Sequence, residues 1–412
     1  MHVFLVIPVM NEAENLPLLL LNLKAQTAKK FSVAFIVNQP ETYWTDDDKK
    51  DICFDNKMSL SLLQSFSEEV DFPVHIIDRS SKGKGWKLKD QGVGQARREA
   101  MDLVIEYADD EDIILSTDAD TMFMDDHIEK VRQLFADFPQ AGALSIPFYH
   151  IPDGSDAEKK AILRYEMYMR YYLLNLIRIG SPYAYTAIGS AMACTVKAYK
   201  RVGGLAPKAS GEDFYFMMQL RKTGALIPWC DTTVNPSPRA SDRVIFGTGT
   251  AVAFGILGDW SRYTFYDMEA YDQIAVANHA FSAYFDGDEA AKDRILSVFP
   301  DISLEKLRNN HPVKERFIHA CHEKADSLAI LQTLKRLHSG EKSDSENLRR
   351  YCKIYIPELP VQDFSFEHSS VAEYHLVRDF LAGLETKLLT KKYKEYQNLV
   401  DQKKHPIWKY MT

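Results

Sequence analysis

An α/β fold on a mostly parallel sheet, with a helical C-terminal extension, is what this chain predicts, and three observations carry the prediction. Short apolar runs recur early: Val3-Phe4-Leu5-Val6-Ile7, Ser32-Val33-Ala34-Phe35-Ile36-Val37, Val74-His75-Ile76-Ile77 and Ile113-Ile114-Leu115. They are too short for helices and rich in β-branched residues, as strands buried on both faces are. Segments with helical spacing separate them, which is the alternation that a right-handed crossover sheet requires. From about residue 270 onward the pattern is helical only.

The elements follow in order. After strand 3–7, Pro8 leads into Asn11-Glu12-Ala13-Glu14, where Asn11-x-x-Glu14 reads as a capping box. It opens a helix over 12–25, on which Leu16, Leu19, Leu20 and Leu23 share a face. Strand 32–37 comes next. Segment 40–58, with Asp46-Asp47-Asp48-Lys49-Lys50, reads as an exposed loop, and 60–70 as a helix. Beyond strand 74–77, Lys82-Gly83-Lys84-Gly85-Trp86 reads as a basic, flexible loop. Gly92-x-Gly94 opens a helix with Ala96, Ala100, Val104 and Tyr107 on one face. This Gly-x-Gly lacks the third glycine and the later acidic residue of a dinucleotide site. Strand 113–116 then delivers Asp118-Ala119-Asp120. Residues 158–179 form a basic helix whose Tyr165, Tyr168 and Tyr172 are expected to pack on the sheet. Gly211-Glu212-Asp213-Phe214 starts another helix, and glycines at 247, 249, 255 and 258 suit a hinge loop. Ser370-x-x-Glu373 caps a long final helix running towards Asp401.

Composition narrows the function. A net charge of −8, from 50 basic and 58 acidic residues, disfavours nonspecific nucleic-acid binding, which needs a basic surface. The five cysteines show no Cys-x-x-Cys pairing, as expected for free thiols in a reducing compartment. The first apolar stretch is a strand broken by Pro8 and Glu12, so no secretory signal is expected. No run approaches the roughly 18 apolar residues of a membrane span. The expectation is a cytoplasmic protein. The basic aromatic helix at 158–179, through Arg164 and Arg170, is the one segment suited to peripheral contact with the inner face of a membrane.

The chemistry concentrates at Asp118 and Asp120. Their strand ends at the rim where open α/β sheets bind ligands. Two hard carboxylates there suit Mg²⁺ or Mn²⁺, ions that usually bring substrate phosphates with them.

Val6-Ile7-Pro8-x-x-Asn11-Glu12, Thr117-Asp118-Ala119-Asp120 and Gly211-Glu212-Asp213-Phe214 stand in an order that resembles family-2 glycosyltransferases of the GT-A fold. Ile188-Gly189-Ser190 and Val202-Gly203-Gly204-Leu205 strengthen the resemblance, which covers about the first 245 residues. It implies a GT-A domain over 1–245 and a mostly helical extension over 246–412. It implies transfer of a single sugar from a nucleoside-diphosphate sugar, with inversion, to a carbohydrate, lipid-linked or small-molecule acceptor. Asp118 and Asp120 would hold the metal and Asp213 would be the general base. Glu212 would hold the acceptor or orient the loop, with Gly189 and Ser190 on the acceptor side. The donor would meet Pro8, Asn11, Glu12, Arg97 and Asp118, and Arg239 and Arg243 would clamp its diphosphate. Lys84 could add positive charge. Asn38 stands where the family usually has an acidic residue against the base, which leaves the base open. No Gln-x-x-Arg-Trp of processive relatives occurs.

Two other readings use the same residues. Asp118-x-Asp120-Thr121, with Gly287-Asp288 and Asp293, also mimics haloacid-dehalogenase-like phosphohydrolases, although their nucleophile ends the first strand. A nucleotide-sugar-binding protein without turnover is the third.

Overall fold

The computed structural model describes residues 1–87, 92–208, 210–241 and 247–401. It forms two compact units. Of the described residues, the first holds Met1–Glu158, Tyr185–Leu257 and 389–401, and the second holds Lys159–Ala184 and Gly258–Leu388. Each unit is therefore assembled from separate stretches of chain, whereas the sequence reading placed one cut after residue 245.

The first unit is built on β1 (Val3–Val9), β2 (Phe31–Asn38), β3 (Val74–Arg79), β4 (Ile113–Ser116), β5 (Met122–Phe123), β6 (Ala141–Ser145), β7 (Met192–Thr195), β8 (Ala225–Ile227) and β9 (Val234–Asn235). The central sheet runs β3-β2-β1-β4-β7-β6-β8. Strands β1 to β4 pair in parallel, and only β7 opposes its neighbours. Val3 lies opposite both Phe31 and Ile113, so β1 is the middle of the parallel half. Val3, Leu5, Val6, Ile7 and Val9 are fully buried there, as their apolar run requires. The small pair β5–β9 lies directly after the Asp-x-Asp.

Helices α1 (Leu16–Lys24), α2 (Lys50–Glu69), α3 (Val93–Val104), α4 (His127–Asp137), α5 (Asp156–Arg178), α6 (Val196–Val202), α7 (Glu212–Thr223) and α8 (Thr248–Ile256) follow the strands. Three expectations are corrected here. Asn11 does not cap a helix: it takes the left-handed conformation at φ 59°, and α1 starts only at Leu16. Asn tolerates that conformation because its short side chain is accommodated locally. Segment 40–58 is not a loop throughout, because α2 begins at Lys50 and buries Cys53 and Asn56. Tyr107 lies beyond the end of α3, where it is exposed and stacks on His75 with ring centroids 5.6 Å apart.

The second unit is helical: most of α5, then α9 (Met268–Phe285), α10 (Ala290–Val298), α11 (Leu304–Asn310), α12 (Lys314–Lys324), α13 (Ser327–Leu337), α14 (Asp344–Tyr355) and the first part of α15 (Val371–Asp401). The expected cap of the last helix forms, with Ser370 N–H on Glu373 at 2.7 Å and Glu373 N–H on Ser370 Oγ at 3.3 Å. The tyrosines of α5 meet aromatic rings of this unit. Tyr168 meets Tyr263 and Phe265, and Tyr171 meets Tyr271 and Tyr351, all within this helical unit. Arg164 lies over the rings of Trp260 and Phe366 and pairs with Asp344 at 2.7 Å. Arg170 is buried between Glu166 and Glu385. Both arginines are therefore paired with acids inside the helical unit. No described helix is long and apolar enough to cross a membrane. All five cysteines are free and buried.

Candidate functional site

The site is built from chain ends at one rim of the sheet. Strands β1 and β4 pair in register, Val6 beside Ser116, so their C-terminal extensions emerge together. Ser116 also pairs with Met192, and because β7 runs the other way its entry segment, Gly189-Ser190, reaches the same rim. Ser116 Oγ donates to the Gly189 carbonyl at 2.7 Å and fixes that segment. Both Gly189 and Ser190 thus stand beside the end of the Asp-x-Asp strand.

Asn11, Glu12 and Ala13 extend from β1. The Asn11 N–H donates to Asn56 Oδ1 at 2.8 Å and the Ala13 N–H to Asp55 at 3.1 Å, so α2 holds this turn in place. Asn56 also donates to Gln39 Oε1 at 2.8 Å and to the Asn38 carbonyl at 3.3 Å. Two strand ends are therefore tied to one buried amide. Sequence reasoning missed Asp55 and Asn56, because they lie in the stretch that reads as a charged loop. Pro8 stands in β1 opposite Ile36, one strand position before Val9.

Five carboxylates and two guanidinium groups meet here. Arg97, on α3, pairs with both Asp118 and Glu212. Arg239 pairs with Glu12 and, at 2.9 Å, with Asp120. The Arg97 side chain is only 4% exposed. Burial alone would weaken its charge, but Asp118, Glu212 and Asp213 outweigh that and hold its proton more tightly than usual. Arg239 is likewise held charged by Asp120 and Glu12 against partial burial. Two glycines make room for the arrangement. A Cβ on Gly189 would overlap the Arg97 guanidinium, and one on Gly94 would overlap the Lys208 carbonyl and crowd Glu212. Gly94 thus lets α3 approach the segment ahead of α7.

Gly211, at φ 70°, turns the chain into α7 and sets Glu212 and Asp213 in its first turn. There the helix dipole favours negative charge. Asp213 nonetheless has its pKa pushed up to about 7, first by desolvation and then by the charge of Glu212, with Arg97 opposing. The sign for stability follows. The folded state keeps this proton to higher pH than the unfolded chain, so the group's contribution is favourable below about pH 4 and declines as pH rises towards about 7. Asp213→Asn is expected to flatten that decline, read from denaturation midpoints between pH 5 and 8. An unchanged slope would remove the titration from Asp213.

Other expected donor residues stand apart from these ion pairs. Lys84 pairs with Asp78 at 2.9 Å. Its loop is tied to its surroundings: Glu41 accepts the N–H groups of Gly83 and Gly85, each at 2.8 Å, and Trp44 Nε1 donates to the Ser80 carbonyl. Asn38 is buried, with its amide 4.0 Å from Met10 sulfur. Arg243 lies outside the described residues.

The residues fit a divalent cation in one specific sense. Among the described residues no group of three or more His, Cys, Asp or Glu side chains is placed so that all could hold one metal ion. Two carboxylates with the remaining oxygens supplied by a phosphate ligand is the arrangement Mg²⁺ and Mn²⁺ commonly accept. The buried hydroxyls of Thr117 and Thr121, on either side of the Asp-x-Asp, have no hydrogen-bond partner among the described residues. Buried polar atoms are usually paired, so two such oxygens flanking the motif are unusual.

Comparison with known proteins gives only remote likenesses. No family model and no curated protein matches the chain. Among solved structures, residues 1–349 of S. aureus TarS in complex with UDP-GlcNAc align at 14% identity and a TM-score of 0.42, covering 79% of this chain and 91% of that one. A mannosyltransferase from Pyrobaculum calidifontis, PcManGT, in complex with GDP-Man and Mn²⁺, aligns at 14% identity and a TM-score of 0.39, covering 95% and 88%. Likenesses at this level carry no argument about site or substrate.

Proposed function

We propose that the chain is a glycosyltransferase of the GT-A type, resembling family 2, which moves one sugar from a nucleoside-diphosphate sugar to an acceptor hydroxyl with inversion. The observation that carries the reading is the meeting of three distant sequence motifs, around Glu12, Asp118-Asp120 and Glu212-Asp213, joined by Arg97 and Arg239 at one rim. A phosphohydrolase reading explains only the Asp-x-Asp and leaves Glu12 and Glu212-Asp213 without a role.

Sugar transfer needs a neutralised leaving diphosphate and a base for the acceptor proton. In this reading the bond from the anomeric carbon to the diphosphate breaks as the acceptor oxygen bonds to that carbon. The electron pair leaves with the diphosphate, and the acceptor proton passes to Asp213. A carboxylate whose pKa lies at about 7 is well matched to that transfer near neutral pH. Arg97 pairs with Glu212 beside it and fixes Asp118 on the donor side. Asp118 and Asp120 would hold Mn²⁺ or Mg²⁺, which supplies Lewis-acid neutralisation of the diphosphate when bound. Glu212, Gly189 and Ser190 border the acceptor side, and Arg239 the diphosphate. Asn11 sets the turn that carries Glu12, and Asn38, at the neighbouring strand end, faces the base with both a donor and an acceptor.

The test is a panel of UDP- and GDP-sugars with Mn²⁺, read by thermal shift and then by release of the nucleoside diphosphate. At least one donor is expected to raise the midpoint, since binding to the folded state stabilises it. A panel without any shift or release, set beside phosphate release from a simple phosphomonoester, would overturn the reading.

A further inference from the structure

The two arginines of the site are held differently. Arg97 sits on a helix, 4% exposed, in the slot that Gly189 leaves open, and bridges two carboxylates. Arg239 sits on coil between β9 and α8 and is 37% exposed. Its two partners are unlike each other. Glu12 is buried, accepts from Asn15 Nδ2 at 2.7 Å and belongs to the turn pinned by Asp55 and Asn56. Asp120, by contrast, is part of the motif expected to meet a cation. Glu12 is thus a fixed seat and Arg239 the more exposed member of the trio.

Charge decides what such a trio can do. Among the described residues, Arg97 pairs with Asp118 and Glu212, and Arg239 pairs with Glu12 and Asp120. A divalent cation arriving alone must displace or adjoin a guanidinium at Asp120. A diphosphate arriving alone meets the like charges of Asp118 and Asp120 and an Arg239 already paired. Arriving together, each removes the other's obstacle.

We infer that Arg239 is an exchangeable counter-ion, held by Glu12 and Asp120 in the absence of donor and passed to the diphosphate when a cation takes its place at Asp120. The inference rests on the nucleotide-sugar reading for the identity of the diphosphate, but the exchange at Asp120 does not require it. Glu12 then positions Arg239 for release and need not touch the donor. Binding of cation and diphosphate becomes reciprocal: each tightens the other by the same factor.

Calorimetry on the full chain tests this with MnCl₂ alone, UDP or GDP alone, and both together. Wild type is expected to bind the diphosphate about tenfold or more tightly with Mn²⁺ than without it, a coupling of ordinary size. Arg239→Ala should bind Mn²⁺ alone more tightly than wild type, by about tenfold, because a like charge has gone. Its diphosphate affinity should fall. Glu12→Gln keeps the shape and an oxygen for Asn15, and should bind the diphosphate alone more tightly, since Arg239 loses one of its two anchors. A fixed structural arginine predicts the opposite pattern: weaker or unchanged Mn²⁺ binding in Arg239→Ala and weaker or unchanged diphosphate binding in Glu12→Gln. Either result overturns the exchange. If Arg239→Ala fails to fold, Glu12→Gln decides. If no nucleotide binds wild type, the donor reading falls, and the Mn²⁺ titration of Arg239→Ala still decides the exchange at Asp120.

Discussion

Asp213→Asn is expected to lower sugar transfer by about a thousandfold while leaving nucleoside-diphosphate affinity nearly unchanged, within the range that one positioned general base contributes. The amide has almost the same shape and can still accept the Phe214 N–H, which now bonds Asp213 Oδ1 at 2.7 Å. It cannot take a proton. Loss should therefore appear in kcat and not in donor binding, the pattern of an interaction made only in the transition state. The parent's kcat should rise with pH through about 7 as the Asp213 proton is lost, and the variant should lose that limb. Single-turnover kinetics beside calorimetry of the diphosphate separate the two quantities. Parental turnover in the Asn variant, or a product of retained configuration, would take the base role from Asp213.

The parallel half of the sheet was legible because its cause is local. Apolar runs of strand length, separated by helical spacing, leave few alternatives once both faces must be covered. The same holds for Ser370-x-x-Glu373, where the capping geometry lies within four residues of chain. What was not legible depended on partners far away in sequence. Asn11 reads as a helix cap by spacing, but the competing claim of Asn56, 45 residues on, turns it into a left-handed corner. The Asp46–Lys50 charges conceal the start of α2, because a polar run carries no sign of which side chains will be buried. The arginines and tyrosines of α5 resemble an amphipathic surface helix by composition. Tyr165, Arg170 and Tyr171 are buried because residues more than 80 positions later supply matching rings and an acid.

In the candidate site, the acids were visible and their counter-ions were only partly so. Asp118, Asp120, Glu212 and Asp213 stand in recognisable motifs, whereas Arg97 and Arg239 are isolated letters. Nothing local distinguishes Arg97 from Arg98, its neighbour, which makes an exposed i,i+4 pair with Asp102. The only sequence trace of the Arg97 seat is Gly189, a glycine whose purpose appears once the guanidinium is placed against it.

That seat gives the largest expected effect on stability. Arg97→Ala removes the counter-ion from Glu212, which is 3% exposed, and from Asp118. A buried carboxylate left without its partner costs about 3–5 kcal/mol, far more than an exposed pair contributes. Glu212 would draw water into the site or move towards water, and either change also perturbs Asp213 beside it. Arg97→Lys should not restore the parent, because one ammonium cannot fork to two carboxylates as the planar guanidinium does. Gly189→Ala should act through the same group: its Cβ overlaps the guanidinium, so Arg97 must leave one carboxylate or the rim must move. Its loss should be smaller where the side chain can shift, and in the Arg97→Ala background most of it should vanish, since nothing is left to displace. Such non-additivity marks residues acting through one contact. Urea denaturation of the four proteins at pH 7 measures the cycle, and strictly additive losses, or a parental midpoint for Arg97→Ala, would show that the buried fork does not hold this rim together.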